Sequence, residues 1–364
     1  MRVTRIIALL FMVILIPVFS SSAFAGWEVT YLHPAGSTQS QAQGVSAGQQ
    51  AGSAYVGGIP HAVLWSSTAE SWLDLEPAGY DSSIARGISG GQQAGVAYTG
   101  GAVHAGLWNG TAGSFLDLHP AGHESSEANA VSGGKQVGYV DSHAALWSGT
   151  AEGWVDLHPG GAYSTSSAFG AGDGQQVGYA NDGMQRACLW SGTAGSWVDL
   201  HPSGYGYASS IARGVAGGWQ VGDAVASGGA VTVTAGLWNG TAASWVSLNP
   251  SGCFESHAYG VSAGWQVGLA AGSPTGDYYH ASLWNGTAES WFDLHDLLNP
   301  AYTHSSAQSI CVSGDDIWIA GAAYNSATSY NEAVLWHNVI PEPSSLLILG
   351  SGLLGLAGLV RRKR

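Results

Sequence analysis

Apolar and polar residues alternate in short runs separated by glycine-rich breaks, and the same order of runs returns throughout the chain. The clearest marker is Leu-Trp, at Trp65, Trp108, Trp147, Trp190, Trp238, Trp284 and Trp336. The residues leading into it read HAVLW, HAGLW, HAALW, RACLW, TAGLW, HASLW and EAVLW. After each of the first six comes a turn such as Asn109-Gly110-Thr111. An aromatic-led run follows (Trp72-Leu73-Asp74-Leu75 in the first), then a His-Pro type loop. The next unit opens with Ser, Ala and Gly around a single Val or Ile, and continues through a Gln-Val-Gly run. Period-two runs bounded by turn residues predict strands. In the second unit the pattern predicts strands at 83–89, 92–98, 104–109 and 114–118. Asn-Gly is a hairpin signal because both central residues of a type I′ turn need positive φ, and Gly90-Gly91 marks another tight turn.

Four strands in about 44 residues is the period of a propeller blade. Side-chain size agrees with a radial taper, since the first run of each unit is small and the third and fourth carry the tryptophans. The expected fold is therefore all-β, a seven-bladed β-propeller of four-stranded antiparallel blades. The seventh unit supplies strands near 307–313, 316–322 and 332–337 and lacks a fourth. Trp27-Glu28-Val29-Thr30-Tyr31-Leu32-His33-Pro34 matches the fourth-strand pattern except at Val29 and Tyr31. Residues 27–32 are thus expected to pair beside 332–337 and close the ring, leaving no open edge. An open β-solenoid is the alternative architecture.

The ends carry different signals. Arg2 and Arg5, an apolar run from Ile6 to Phe19 and small residues at Ala23 and Ala25 read as a signal peptide, residues 1–25. The propeller then occupies 26–338. Residues 339–364 hold Pro341-Glu342-Pro343, an apolar stretch from Leu346 to Val360, and Arg361-Arg362-Lys363-Arg364. A short hydrophobic helix closed by basic residues inserts with that end in the cytoplasm. This segment resembles the PEP-CTERM sorting signal. The resemblance implies an exosortase-type processing enzyme as partner, a transient C-terminal membrane anchor, and delivery to the envelope or extracellular matrix. The HAxLW units resemble the HAF family of extracellular repeat proteins, although four units begin His-Ala and none carries Phe third. That resemblance implies export and repetition and says little of activity.

Composition narrows the partners. Of ten Lys and Arg, only Arg86, Lys135, Arg186 and Arg213 lie between 26 and 338, against all the acidic residues except Glu342, a net charge near −19. Phosphate backbones need clustered cations, so nucleic acid is excluded, and the membrane is met only through the C-terminal segment. Sixteen Trp and fifteen Tyr argue for a folded body. The three cysteines, Cys188, Cys253 and Cys311, make no disulfide framework.

In a repeat protein, chemistry should appear as departures from the template. The recurring Asp74, Asp117, Asp156, Asp199 and Asp293 read as turn-amide acceptors. The loop histidines His33, His119, His158, His201 and His295 stand on separate units, too far apart to share zinc. No metal, cofactor or catalytic motif is expected. The variable loop tips carry Tyr80, His123, Tyr163, Tyr205, Tyr207, Phe254 and Tyr302, which are the candidate ligand-binding residues if they crown one face, or lids if each covers its own junction. Trp219 and Trp265 suggest an aromatic patch on the opposite face. The function expected is a non-enzymatic binding or scaffold module for exopolysaccharide or surface proteins. The alternative is a polysaccharide-acting glycosidase or lyase, for which Glu124, Glu127, Asp315 and Asp316 are the off-template acids.

Overall fold

The computed structural model describes residues 26–228 and 232–339. The expected signal peptide, Pro341-Glu342-Pro343 and the apolar stretch 346–360 lie outside them. Among the described residues no helix is long and apolar enough to cross a membrane.

The chain is a β-propeller. Strands group into seven four-stranded antiparallel units, two of which, units 5 and 6, are joined into one sheet by a single parallel pair, Val233 with Glu255. Unit 2 shows the order: Ser82–Ser89 inside, then Gln92–Thr99, Ala102–Trp108 and Leu116–Asp117 outside. The inner strands touch their neighbours all the way round, and Val45 N–H donates to Ser309 Oγ at 3.3 Å where unit 1 meets unit 7. The N-terminal strand Trp27–Tyr31 pairs antiparallel with Tyr330–Val339, Val29 opposite Trp336, so the last unit is completed by the first residues of the body as expected.

The core lies between units rather than within them. The seven Leu-Trp tryptophans are fully buried, each wedged against the preceding unit. Trp108 Nε1 donates to Leu75 O at 2.8 Å and Trp336 Nε1 to Leu294 O at 3.1 Å, across such junctions. Small residues inside and indoles outside fill a wedge that widens from the axis.

Two expectations need correcting. In units 1–6 the fourth strand is only two residues long, not four or five, and in five of these its leading aromatic ends a 3₁₀ turn, as at Ala112–Ser114. Correspondingly, Asn109-Gly110 is not a two-residue hairpin: Gly110 has φ of 79° and Asn109 does not have positive φ. Ser114 Oγ accepts from Asn109 N–H at 2.8 Å and donates to Thr111 O at 2.5 Å, which stabilises the longer connection. Gln93 Oε1 also accepts the Gly110 N–H at 2.8 Å, a use of the buried glutamine that the repeat pattern did not suggest. Gly90 and Gly91, both at positive φ, do form a tight turn.

Each inner strand is interrupted by a β-bulge, between Ala42 and Gly44 in unit 1 and at the matching place in every other unit. The facing residue of the second strand is always glycine. A Cβ at Gly138 would sit 1.8 Å from the Glu127 carbonyl oxygen. The Gln-Val-Gly glycine is therefore required by close backbone approach.

Candidate functional site

The recurring polar residues turn out to hold the units together. Ala N–H of each HAxLW sequence donates to the hydroxyl of a serine at the start of the next inner strand, as Ala105 N–H to Ser126 Oγ at 2.9 Å. That serine meets the loop histidine in turn: Ser126 and His119 Nδ1 are 2.9 Å apart, and Ser40 and His33 Nδ1 2.8 Å. The carbonyl facing Nε2, His123 O for His119, can only accept, so Nε2 carries the hydrogen and Nδ1 of the neutral ring accepts from the serine hydroxyl. Glu76 and Asn249 replace histidine in two loops and accept from Ser83 and Ser256. Both nitrogens of His33, His119 and His158 are engaged this way, which leaves none for a metal.

The recurring aspartates accept the amide two residues on, at 2.7 Å from His158 N and 2.9 Å from His295 N. Their second oxygen binds the histidine of HAxLW: His61 to Asp74, His104 to Asp117, His143 to Asp156 and His280 to Asp293, at 2.7–3.1 Å. Each of the last three histidines stacks on a loop histidine at 3.9–4.1 Å. Burial, then the stacked partner's charge, pushes His295 down to about 4 and lowers His119 and His158.

The loop-tip aromatics divide into two groups. Tyr80 lies edge-on to Phe115 and donates to Asp117 of the next unit, and burial pushes its phenol up to about 12. His123 sits on Trp154 and binds Asp141, Tyr163 leans on Trp197, and Tyr207 meets Trp245 edge-on. Tyr302 is buried, stacked on Tyr31 at 5.0 Å with its hydroxyl on Glu332. These five lie over the next fourth-strand ring as lids. Tyr205 and Phe254 remain exposed.

The same loop face carries the second-to-third strand hairpins, which hydrogen-bond to the loop tips, as Thr232 N–H does to Phe254 O at 2.8 Å. Those of units 6 and 7 add exposed Tyr278, Tyr279 and Tyr330. Exposed aromatic rings on this face are thus confined, among the described residues, to units 5–7.

Beneath them runs a buried charge network. Tyr279 hydroxyl donates to Glu255 at 2.9 Å; Glu255 meets His257 Nε2 at 3.0 Å; His257 Nδ1 lies 3.1 Å from Asp223, which pairs with Arg213. Tyr259 packs beside the Arg213 guanidinium, 5.4 Å from its ring centre. Burial would raise the Asp223 carboxyl, but His257 and Arg213 hold it below its usual range. Burial likewise opposes charge on His257, yet Asp223 and then Glu255 outweigh it and raise that pKa.

Arg213 belongs to a ring that the loop-tip reading missed. The bulge residue of every unit points into the central channel: Gln43, Arg86, Asn129, Phe169, Arg213, Tyr259 and Gln308. Arg86 pairs with Glu127 at 2.9 Å, so one of the four off-template acids meets this ring through its arginine. Asp316 binds His337 at 2.7 Å and Glu124 stays exposed on its loop. The signal was present in the sequence as the variable position of Ser-x-Ala-x-Gly, where the template changes most and two of the body's four basic residues sit.

Comparison with known proteins adds two findings. Residues 339–364 match the PEP-CTERM protein-sorting motif, which marks an exported surface protein with a C-terminal membrane anchor and is a substrate signal for exosortase processing. No curated protein sequence matches the chain. Among solved structures, a puromycin hydrolase S511A mutant complexed with PGG is similar over 80% of this chain, with TM-score 0.51 and 11% identity. The chain spans 53% of that protein's length. TolB from Acinetobacter baumannii is 9% identical over 86% of this chain and 80% of its own, with TM-score 0.43. Apo AztD from Citrobacter koseri is 11% identical over 81% and 85%, with TM-score 0.42. At such identity the likeness concerns the fold.

Proposed function

We propose that this chain is a non-enzymatic surface propeller of the HAF-repeat kind, delivered to the envelope or extracellular matrix, where it binds exopolysaccharide. The contact is the loop face of units 5–7. What supports the reading is the confinement of Tyr205, Phe254, Tyr278, Tyr279 and Tyr330 to that sector, while equivalent aromatics elsewhere lie down as lids. Exposed ring faces beside a carboxylate such as Glu255 suit sugars, whose C–H faces stack and whose hydroxyls donate.

A glycan array probed with the full chain in detergent, followed by product analysis on each hit, tests this. Selective binding that weakens at least tenfold in Tyr205→Ala and Tyr279→Ala, with no sugar released, is the expected result. Absence of any glycan binding refutes it. Released sugar that disappears in Glu127→Gln or Asp223→Asn would replace it with a polysaccharide-acting enzyme.

A further inference from the structure

The face opposite the loops carries its own opening. Below the ring of bulge residues the channel continues as a cavity of about 480 Å³, walled by the ends of all seven inner strands and reaching their first hairpin turns. That volume lies in the range of small-molecule sites, roughly 300–1,000 Å³. Its walls are Gly, Ser and Ala with a Val or Ile from every unit but the fourth, and adjacent inner strands approach closely: a Cβ at Gly214 would lie 2.8 Å from Tyr259 O. Its end wall is the mixed ring of amides, guanidiniums and two aromatic rings.

The rim is not symmetric. Ala216, Ser262 and Cys311 line the cavity in units 5, 6 and 7, and their cross-strand partners are Trp219, Trp265 and Trp318. Units 1–4 carry Gln49, Gln92, Lys135 and Gln175 at that register. Trp219 is exposed. Trp318 stacks on His337 at 3.7 Å, and Asp316 holds that imidazole from the side. Trp265 and Trp318 pack against the junctions of units 6 with 7 and 7 with 1, which leaves Trp219 as the exposed indole at this register.

The charge of the cavity decides the ligand class. Both guanidiniums of the ring are already neutralised, Arg86 by Glu127 and Arg213 by Asp223. The surrounding body is strongly acidic. Among the lining residues an anion would meet Asp173 and no unpaired guanidinium, and the rim Lys135 is turned onto Ser148 at 2.6 Å, whereas hydroxyls and amides match an uncharged polyol. We infer that the turn face is a second binding site, for neutral saccharides, with the end of a sugar chain entering the channel and the exposed Trp219 stacking on it outside the rim. Together with the loop face, it would make one molecule a cross-link between two glycan chains.

Titration calorimetry of the full chain in detergent with maltose, cellobiose and lactose tests the site, with glucuronate and inorganic phosphate as charged probes. At least one neutral disaccharide should bind, at least tenfold more weakly in Trp219→Ala and not detectably in Ser132→Trp, which blocks the cavity from unit 3, one of the four without a rim tryptophan. Both variants should melt within a few degrees of the parent. If Ser132→Trp does not fold, Ser89→Phe plugs the same cavity from unit 2. No neutral binding, a preference for the charged probes, or binding that survives both plugged and Trp219→Ala chains overturns the proposal. Binding lost in Tyr279→Ala yet intact in Trp219→Ala belongs to the loop face and overturns it equally.

Discussion

The loop histidines show what one side chain does when its surroundings choose its protonation. His295 is neutral because Ser305 occupies Nδ1, at 2.8 Å, and burial and then His280 oppose a second proton. Its pKa falls from the usual 6.5 to about 4. The unfolded chain therefore takes up the proton first as pH drops. The stability contributed by the neutral ring is full above about 6.5 and is lost as pH falls toward 4. His119, His158 and His201 shift in the same direction. His257 is opposed, its stabilisation present at low pH and lost as pH rises through its raised folded pKa. The melting temperature should thus fall between pH 7 and pH 5, with five depressed histidines, His304 included, outweighing one. His295→Asn should flatten that fall, since Asn249 already fills the equivalent position and accepts from Ser256 at 2.6 Å. An unchanged pH profile in that variant would show that the latch histidines are not the source.

At the scale of the strand, the inner bulge and the facing glycine form one device. The bulge turns a variable side chain into the channel, and the glycine makes room for the displaced carbonyl. Gly138→Ala places a methyl group 1.8 Å from a backbone oxygen, and neither partner is a flexible tip that can move aside. We expect a loss above the roughly 1–3 kcal/mol usual for overpacking, read from urea unfolding. Gly113→Ala, where added carbon meets nothing within 4 Å, is the neutral comparison. A similar midpoint for both would refute the steric account. The connection before the short fourth strand belongs here too: the Ser114 hydroxyl bridges Asn109 and Thr111, an interaction the Asn-Gly signal alone does not reveal.

For the whole molecule, closure rests on the strand Trp27–Tyr31. Without it Tyr330–Val339 becomes an open edge, and Leu32 and its amide bond to Ala333 O at 2.8 Å are lost as well. Leu32 is fully buried between units 7 and 1. Removing residues 26–32 should lower the melting temperature by many degrees and promote association through the exposed edge. Light scattering and thermal unfolding would register both, and a monomer of unchanged stability would mean that the ring closes by other contacts. The same scale shows an asymmetry. Among the described residues the exposed aromatics all lie in units 5–7, Tyr205, Phe254, Tyr278, Tyr279 and Tyr330 on the loop face and Trp219 on the turn face.

Periodicity made the strands, the unit length, the buried tryptophans and the closing strand legible, because each depends on a local pattern repeated seven times. Loop-tip aromatics were legible as variable, and as either binding residues or lids, but which ones lie down was not, since whether Tyr80 faces water depends on Phe115 in the next unit, 35 residues further along the chain. The channel ring lay further from reach. Arg86 and Arg213 stand far apart in sequence, and only the bulge, a one-residue shift in pairing, turns both toward a common axis. The sequence by itself determined which residues repeat and therefore the fold. The tertiary structure decided which of the variable ones meet, because a ring brings equivalent positions together only once it has closed.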